Sequence, residues 1–508
     1  SFRDSRTFCC RRHCLGMSSD DDYWGQYDVP SKDTPKPGME MSPCAAEESF
    51  SRQTTADTFS RQTTSPTSLA SSCEPLPGGL VSVGLQKFHI LRQLGTGSFG
   101  TVWLAERCST KALVAVKEVL CFSVKALEAV KSEVRHLSLL AGQHQVFPTL
   151  ITAGSQPLGA GTTRAMVVMS HAPGEPLLEA LQAGCLSRQV DSAHAFRVTA
   201  QLLEQLASAM QRIECLLHRD AHAQNILVEA GAGTYRFSLV DFGLAVDATA
   251  WRSGGWRLQG AAGDCRYWPT SAWRLFSMGP EALLEEELQQ EYTMQLDMHS
   301  VGLTALQLLV QSSPSSELLE AWLTYWCPAM QLWQQVLDAF NTGRQADLKL
   351  KLAKESIHAD VASRLRLLRC KLQDALPRQS AEAKKVLQAL LLMISEGRPR
   401  PGKSPCWEEV LQVLGKSSLP GASNSCKDEI SAALLSQPVS IFEPGTWRAA
   451  DEEEEQMANL GYAKKPDLPQ MGTDEDSYWF GSQWDPDERV YVGAATSRAL
   501  HFQAILPK

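Results

Sequence analysis

Long apolar runs are missing from this chain of 508 residues. No stretch approaches the roughly 18 consecutive apolar residues of a membrane helix, so no span is expected. Positive charge is also in short supply. The net charge of −9 repels a phosphate backbone and argues against a general nucleic-acid binder. The 14 cysteines include no C-x-x-C pair at zinc-ligand spacing, and no secretory leader opens the sequence. Reduced thiols and a cytoplasmic location are therefore expected. Cys9, Cys10 and Cys14 cluster beside Arg11, Arg12 and His13, but a closed metal site there needs well-spaced partners from elsewhere. What remains is ordinary globular material, 44% hydrophobic and 21% charged, with length enough to bury a core.

Composition divides the chain into three. Residues 1–83 are rich in Ser, Thr, Pro and Asp with few large aliphatics, so burial cannot offset the ordering entropy and disorder is expected. A repeat, Phe50-Ser51-Arg52-Gln53-Thr54-Thr55 and Phe59-Ser60-Arg61-Gln62-Thr63-Thr64, offers hydroxyls just after an arginine. These read either as phosphorylation sites that recruit partners or as a duplicated linker. Residues 417–508 form an irregular acidic tail, with its most charged run at Asp451–Glu455 and an aromatic cluster at Tyr478, Trp479, Phe480 and Trp484. That cluster reads as a partner-binding motif or as one that docks back on the folded part. In between, alternation through Phe88, Ile90, Val102 and Leu104 and the run Leu113–Val119 predict strands. Helical spacing follows at Leu127–Leu140, Ala200–Leu217, Met298–Val310 and Leu318–Met393. Strands first and helices later predict an α+β fold of two lobes: a β-rich small lobe over 84–172 and a helical large lobe over 173–416, with an extra helical stretch at about 318–390.

Four motifs carry chemistry. Gly95-Thr96-Gly97-Ser98-Phe99-Gly100 is a G-x-G-x-x-G loop between two expected strands, where glycines let backbone N–H groups approach phosphate oxygens. With 34 glycines, about 0.15 such patterns arise by chance, so the loop alone decides little. A dinucleotide-binding reading fails on context, because Thr101–Leu104 continues as a strand where a helix should open. Next, Val114-Ala115-Val116-Lys117 ends an apolar strand in one cation, which needs a fixed counter-ion. Glu133 on the following helix is the candidate, with Glu128 as rival. His218-Arg219-Asp220-Ala221-His222-Ala223-Gln224-Asn225 sets an acid and an amide five residues apart in one loop. Asp220 can orient a hydroxyl and accept its proton while Asn225 binds a metal. Val240-Asp241-Phe242-Gly243 adds a second carboxylate suited to Mg2+. The glycine, H-R-D-x4-N and D-F-G patterns coincide by chance only about 3 times in 100,000.

From Leu94 to about Arg400 the chain resembles the eukaryotic protein kinase family, serine/threonine type. The resemblance implies ATP-dependent phosphorylation of protein hydroxyls, with ATP and Mg2+ as cofactors and proteins as substrates. It further implies that Lys117, Glu133, Asp220 and Asn225 are catalytic and that Asn225 and Asp241 hold metal. Leu94, Val102, Ala115 and Leu227 then resemble the adenine sandwich, and the loop from Gly95 to Gly100, Ser98 included, covers the phosphates. Met169 is similar to the residue guarding the back of the pocket, with the hinge at Ser170 to Ala172. Leu137, His218 and Phe242 resemble a hydrophobic spine, Asp297 the aspartate that steadies the catalytic loop, and Arg398 or Arg400 a late structural arginine.

Three departures stand out. His222 occupies the position where such kinases commonly carry lysine, which leaves a pseudokinase scaffold open as the rival to an active enzyme. A small-molecule kinase is the further alternative. The spacing from Asp220 to Asp241 is long, with Ala230–Thr234 as the expected inserted turn. Finally, Gly263–Pro269 resembles the approach to an A-P-E motif, yet no Glu follows. The expectation is an insertion with Glu281 as substitute anchor; the alternative is loss of the anchoring acid. Trp251, Trp256, Trp268 and Trp273 suggest a segment held by packing, and Thr249 or Ser253 facing Arg219 are candidate phosphorylation sites.

Overall fold

The computed structural model describes residues 78–416 apart from 98–99, 141, 143, 160, 187–191, 232, 314–315 and 396–404. Ser98, Arg398, Arg400, the threonine repeat, the Cys9–Cys14 cluster and the acidic tail with its aromatic cluster lie outside the described residues. Six antiparallel strands open the fold: β1 (Leu80–Val83), β2 (Gln86–Gly97), β3 (Gly100–Arg107), β4 (Leu113–Cys121), β5 (Leu150–Gly159) and β6 (Thr162–Ser170), in spatial order β1-β2-β3-β4-β6-β5. Order therefore starts earlier than composition suggested. Val81 and Val83 alternate inward from β1, a strand too short between its flanking glycines to register as a pattern.

Period-two alternation splits this sheet into two faces. Val114, Val116, Trp103, Ala105, Phe88 and Ile90 share one core. The opposite face carries Val102, Leu104, Ala115, Lys117 and Met169, with Ala115 paired to Leu104 and Met169, and Lys117 paired to Val102. Helix α1 (Val124–Leu139) follows β4, started by Ser123, whose hydroxyl accepts from the Ala126 N–H at 3.1 Å.

The remainder is helical apart from small sheets formed by β7 (Glu175–Pro176), β8 (Leu216–Leu217), β9 (Ile226–Ala230), β10 (Tyr235–Leu239) and β11 (Val246–Asp247). Helix α2 (Leu177–Gln182) precedes α3 (Ser192–Arg212), whose apolar stripe packs on α7 (Leu296–Ser312). The latter is buried on nearly every side, as a helix that is apolar all round must be. The helix expected over Ala200–Leu217 thus starts and stops earlier, and Leu216–Leu217 pairs instead with β11 as the chain enters the motif loop. Between them and α7 run α4 (Ala248–Arg252), α5 (Thr270–Met278) and α6 (Glu286–Met294). Residues 316–393 form α8 (Ser316–Asn341), α9 (Gln345–Lys354), α10 (Ile357–Ala375) and α11 (Ala381–Met393), and α12 (Trp407–Val413) returns to α3. Helices α9 and α10 both pack on α5.

Candidate active site

Lys117 sends its ammonium inward from β4 to three carboxylate oxygens. Nζ lies 2.8 and 2.9 Å from the two Glu133 oxygens and 2.9 Å from Asp241 Oδ1. Glu128, the rival partner, is exposed and pairs with Lys131. Burial pulls the Lys117 pKa down, but Asp241 and Glu133 outweigh it and hold the lysine well above its ordinary value. Burial likewise pushes Asp241 up, and Lys117 more than reverses it, so Asp241 stays ionised below the usual carboxylate range. A buried cation between two anions links sheet, helix α1 and the Asp241 loop in one contact.

The second cluster surrounds Asp220. Its Oδ1 accepts from the Asp264 N–H at 2.8 Å and from His222 Nε2 at 3.1 Å, while Oδ2 accepts from Asn225 Nδ2 at 3.0 Å. Asn225 Nδ2 also donates to the Asp220 carbonyl at 2.9 Å, so both amide hydrogens are spent and Oδ1 remains as a ligand. Asp297 fixes the loop from below, its two oxygens accepting from the His218 and Arg219 amides, each at 2.6 Å. Hairpin β9–β10 joins the clusters: Ile226 pairs with Leu239, and the Val240 N–H donates to the Asn225 carbonyl at 2.9 Å. Asn225 and Asp241 therefore emerge at the same end of one hairpin. The long spacing between the motifs is the turn of this hairpin, closed by Gly231 N–H to Thr234 O at 2.8 Å.

Phe242, 1% exposed, sits edge-on to His218 at 4.7 Å and to Phe147 at 5.8 Å. Burial lowers the His218 pKa, and its Nε2–H donates to the Val240 carbonyl at 3.1 Å. Leu137 is buried in α1. On the sheet, Leu94, Val102 and Leu227 are half-buried apolar groups, and Ala115 and Met169 are buried. Apolar groups in that state line a cleft better than a core. Ser170 donates its N–H to the Thr149 carbonyl at 2.8 Å where β6 ends, and His171 and Ala172 follow directly. Gly100 needs its missing side chain, since a Cβ would lie 1.9 Å from the Glu118 carbonyl. At Gly95 and Gly97 a Cβ would meet nothing within 4 Å, so protein packing does not demand those two glycines.

His222 is buried and stacked on Tyr267 with centroids 5.4 Å apart. Gln224 N–H faces its Nδ1 at 3.2 Å, which keeps the neutral ring's proton on Nε2 towards Asp220. Burial lowers the His222 pKa and Arg266 adds to that, but Asp220 and then Asp264 prevail and raise it above the ordinary value. The two carboxylates therefore favour the protonated ring at the position where lysine is common.

Two further expectations change. Glu281 is exposed on a short 3-10 turn, with no anchoring contact among the described residues. Its place is taken by Glu291 on α6, which accepts from the Ser271 N–H at 2.8 Å and from the Ser395 hydroxyl. No local pattern marks Glu291, because its partners lie 20 and 104 residues away. Thr249 on α4 and Ser253, which caps its C-terminus one turn later, face solvent. Arg219 instead stacks under Trp251 at 4.6 Å and donates to Gln259.

For a divalent ion, Asn225 Oδ1 and Asp241 Oδ2 supply hard oxygens near a clustered set of donors, which fits Mg2+. Among the described residues no group of three His, Cys, Asp or Glu side chains converges as a metal site, and no helix is long and apolar enough to cross a membrane.

Comparison with known proteins points to one family. Residues 88–411 match the protein kinase domain. The chain is 31% identical to the serine/threonine-protein kinase pkn2 of Myxococcus xanthus over 173 residues, which is 33% of this chain and 19% of that protein. It is 27% identical to protein kinase C of Aspergillus fumigatus over 238 residues, 46% of this chain and 19% of the relative. With mitogen-activated protein kinase kinase kinase 5 of Arabidopsis thaliana it shares 26% over 265 residues, 49% of this chain and 33% of the relative. The matches thus span between 19% and 33% of these relatives' own lengths. With a sheet-rich first part, a helical second part and a match over most of the described residues, the chain belongs to the protein kinase domain family.

Proposed function

We propose that the protein transfers the γ-phosphate of ATP to serine and threonine hydroxyls of protein substrates. The observation that carries this reading is the contact of Lys117 with both Glu133 and Asp241, formed while Asp220 and Asn225 are hydrogen-bonded together within their own loop. Lys117 is placed to hold phosphate oxygens, kept in register by Glu133. The open space around Gly95 and Gly97 suits a backbone lying close over the phosphates. Asp220, oriented by three donors, is positioned to align the substrate hydroxyl and take its proton. His222 lies against the same carboxylate and in its protonated form offers positive charge where phosphoryl charge develops. Asn225 and Asp241 would hold Mg2+, which when bound neutralises charge on the nucleotide. The reading takes the protein to act in the cytoplasm.

The test is phosphoamino-acid analysis after incubating the full chain, magnesium, γ-labelled ATP and a generic protein substrate, beside Asp220→Asn. Label is expected on serine and threonine with wild type and to fall by a factor of about 100 or more in the variant. Equal labelling by both would overturn the assignment and favour a scaffold role.

A further inference from the structure

Helix α8 carries an aromatic face, with Trp322, Tyr325, Trp326, Met330 and Trp333 recurring at helical spacing. That face is turned on one residue of the segment after the D-F-G motif. Arg266, 3% exposed, has its guanidinium 4.6 Å from the Trp333 ring centroid and 5.7 Å from that of Trp326, with Nη1 3.4 Å from Met330 Sδ. The Tyr325 hydroxyl donates to the Arg266 carbonyl at 3.0 Å, so the helix grips both side chain and backbone. The free edge of the guanidinium goes to Asp264, with Nε at 2.9 Å from each carboxylate oxygen. A planar fork that both stacks and chelates is a task for arginine, not lysine.

The chain of contacts ends at the acceptor side of the site. Asp264 turns its own N–H to Asp220 Oδ1 at 2.8 Å. Gly263 permits the approach, because a Cβ there would lie 2.3 Å from the Arg219 carbonyl and 2.8 Å from Asp220 Oδ1.

We propose that α8 is a positioning element for phosphotransfer: Trp333 and Tyr325 clamp Arg266, Arg266 fixes Asp264, and the Asp264 amide holds the Asp220 carboxylate in its working orientation. This rests on the phosphotransferase reading above. Trp333, Tyr325 and Arg266 are positioning residues that reach the substrate hydroxyl only through Asp220. The helix therefore governs turnover while leaving nucleotide binding alone.

The experiment compares kcat, the KM for ATP and the thermal midpoint of full-length wild type, Arg266→Lys, Tyr325→Phe, Trp333→Phe and Trp333→Ala, with Asp220→Asn alongside. Displacing Asp220 by a fraction of an ångström to 1 Å lowers kcat on the order of 10- to 100-fold in Arg266→Lys and Trp333→Ala. The KM for ATP should stay within about twofold, and Trp333→Phe, which keeps a ring, should recover most of the rate. Unchanged kcat in Arg266→Lys overturns the clamp. So does a fall in kcat matched by an equal loss of ATP affinity, which marks general damage. If Trp333→Ala does not fold, Arg266→Lys and Tyr325→Phe decide on the same criteria. Wild type no faster than Asp220→Asn removes the phosphotransferase reading itself, whereas active wild type with undiminished Arg266→Lys removes the clamp alone.

Discussion

Replacing Gly263 by alanine adds one carbon atom where the segment after the D-F-G motif crosses the Asp220 loop. The new Cβ would stand 2.3 Å from the Arg219 carbonyl oxygen, and ordinary contact begins near 3.4 Å, so the strands of chain must part by about 1 Å. Neither side yields easily: the Arg219 amide is pinned by Asp297 and the far side by the Arg266–Asp264 pair. The residue also sits at φ +86°, where a side chain costs about 1–2 kcal/mol. The Asp264 N–H to Asp220 Oδ1 bond, 2.8 Å long, then stretches beyond hydrogen-bond range. A displacement of about 1 Å at the base corresponds to a loss of roughly 100-fold in kcat. Steady-state kinetics with a protein substrate should show that loss with the KM for ATP nearly unchanged, and melting should show a fall of only a few degrees. A Gly263→Ala protein with wild-type kcat would refute the reasoning, because the close approach would then play no part in aligning Asp220.

Lys117→Ala should abolish turnover and also lower stability by about 3–5 kcal/mol, because Glu133 is left buried without its cation; chemical denaturation of Lys117→Ala and of Lys117→Ala with Glu133→Gln checks this, the second change restoring part of the loss. His222 should titrate above 6.5 by NMR and return towards or below it in Asp220→Asn. Since its folded pKa is raised, its contribution to stability is full below the unfolded value and fades as pH rises through the folded one. A His222→Gln variant should lose that decline with pH in denaturation midpoints. Thr249→Ala with Ser253→Ala should leave kcat unchanged after phosphatase treatment of wild type as control, because both hydroxyls face solvent and Arg219 is occupied by Trp251 and Gln259.

Much of the site was legible because its parts are local. Lys117 ends a strand, Asp220 and Asn225 share one loop, and Asp241 opens the next, so each motif carries its own spacing. The choice of Glu133 over Glu128 follows from helical phase alone: Glu133 shares the buried side of α1 with Val130, Val134 and Leu137. What stayed hidden depends on distant partners. Glu291 reads as one more acid in a run of glutamates until Ser271 and Ser395 close over it. The surroundings of His222 are equally hidden, since Asp264, which helps raise its pKa, lies 42 residues further along the chain. The spacing of the α8 tryptophans names no target, and only the fold aims Trp326 and Trp333 at Arg266. Strand β1 was missed for a different reason, having two inward residues and no room to display a period.

Isothermal titration of ATP into the full chain, with and without magnesium, tests the central claim most directly. The account predicts saturable binding that tightens with magnesium in wild type, with that tightening lost in Asp241→Ala. Absence of binding to folded wild-type protein, or the same magnesium dependence in Asp241→Ala, would contradict it.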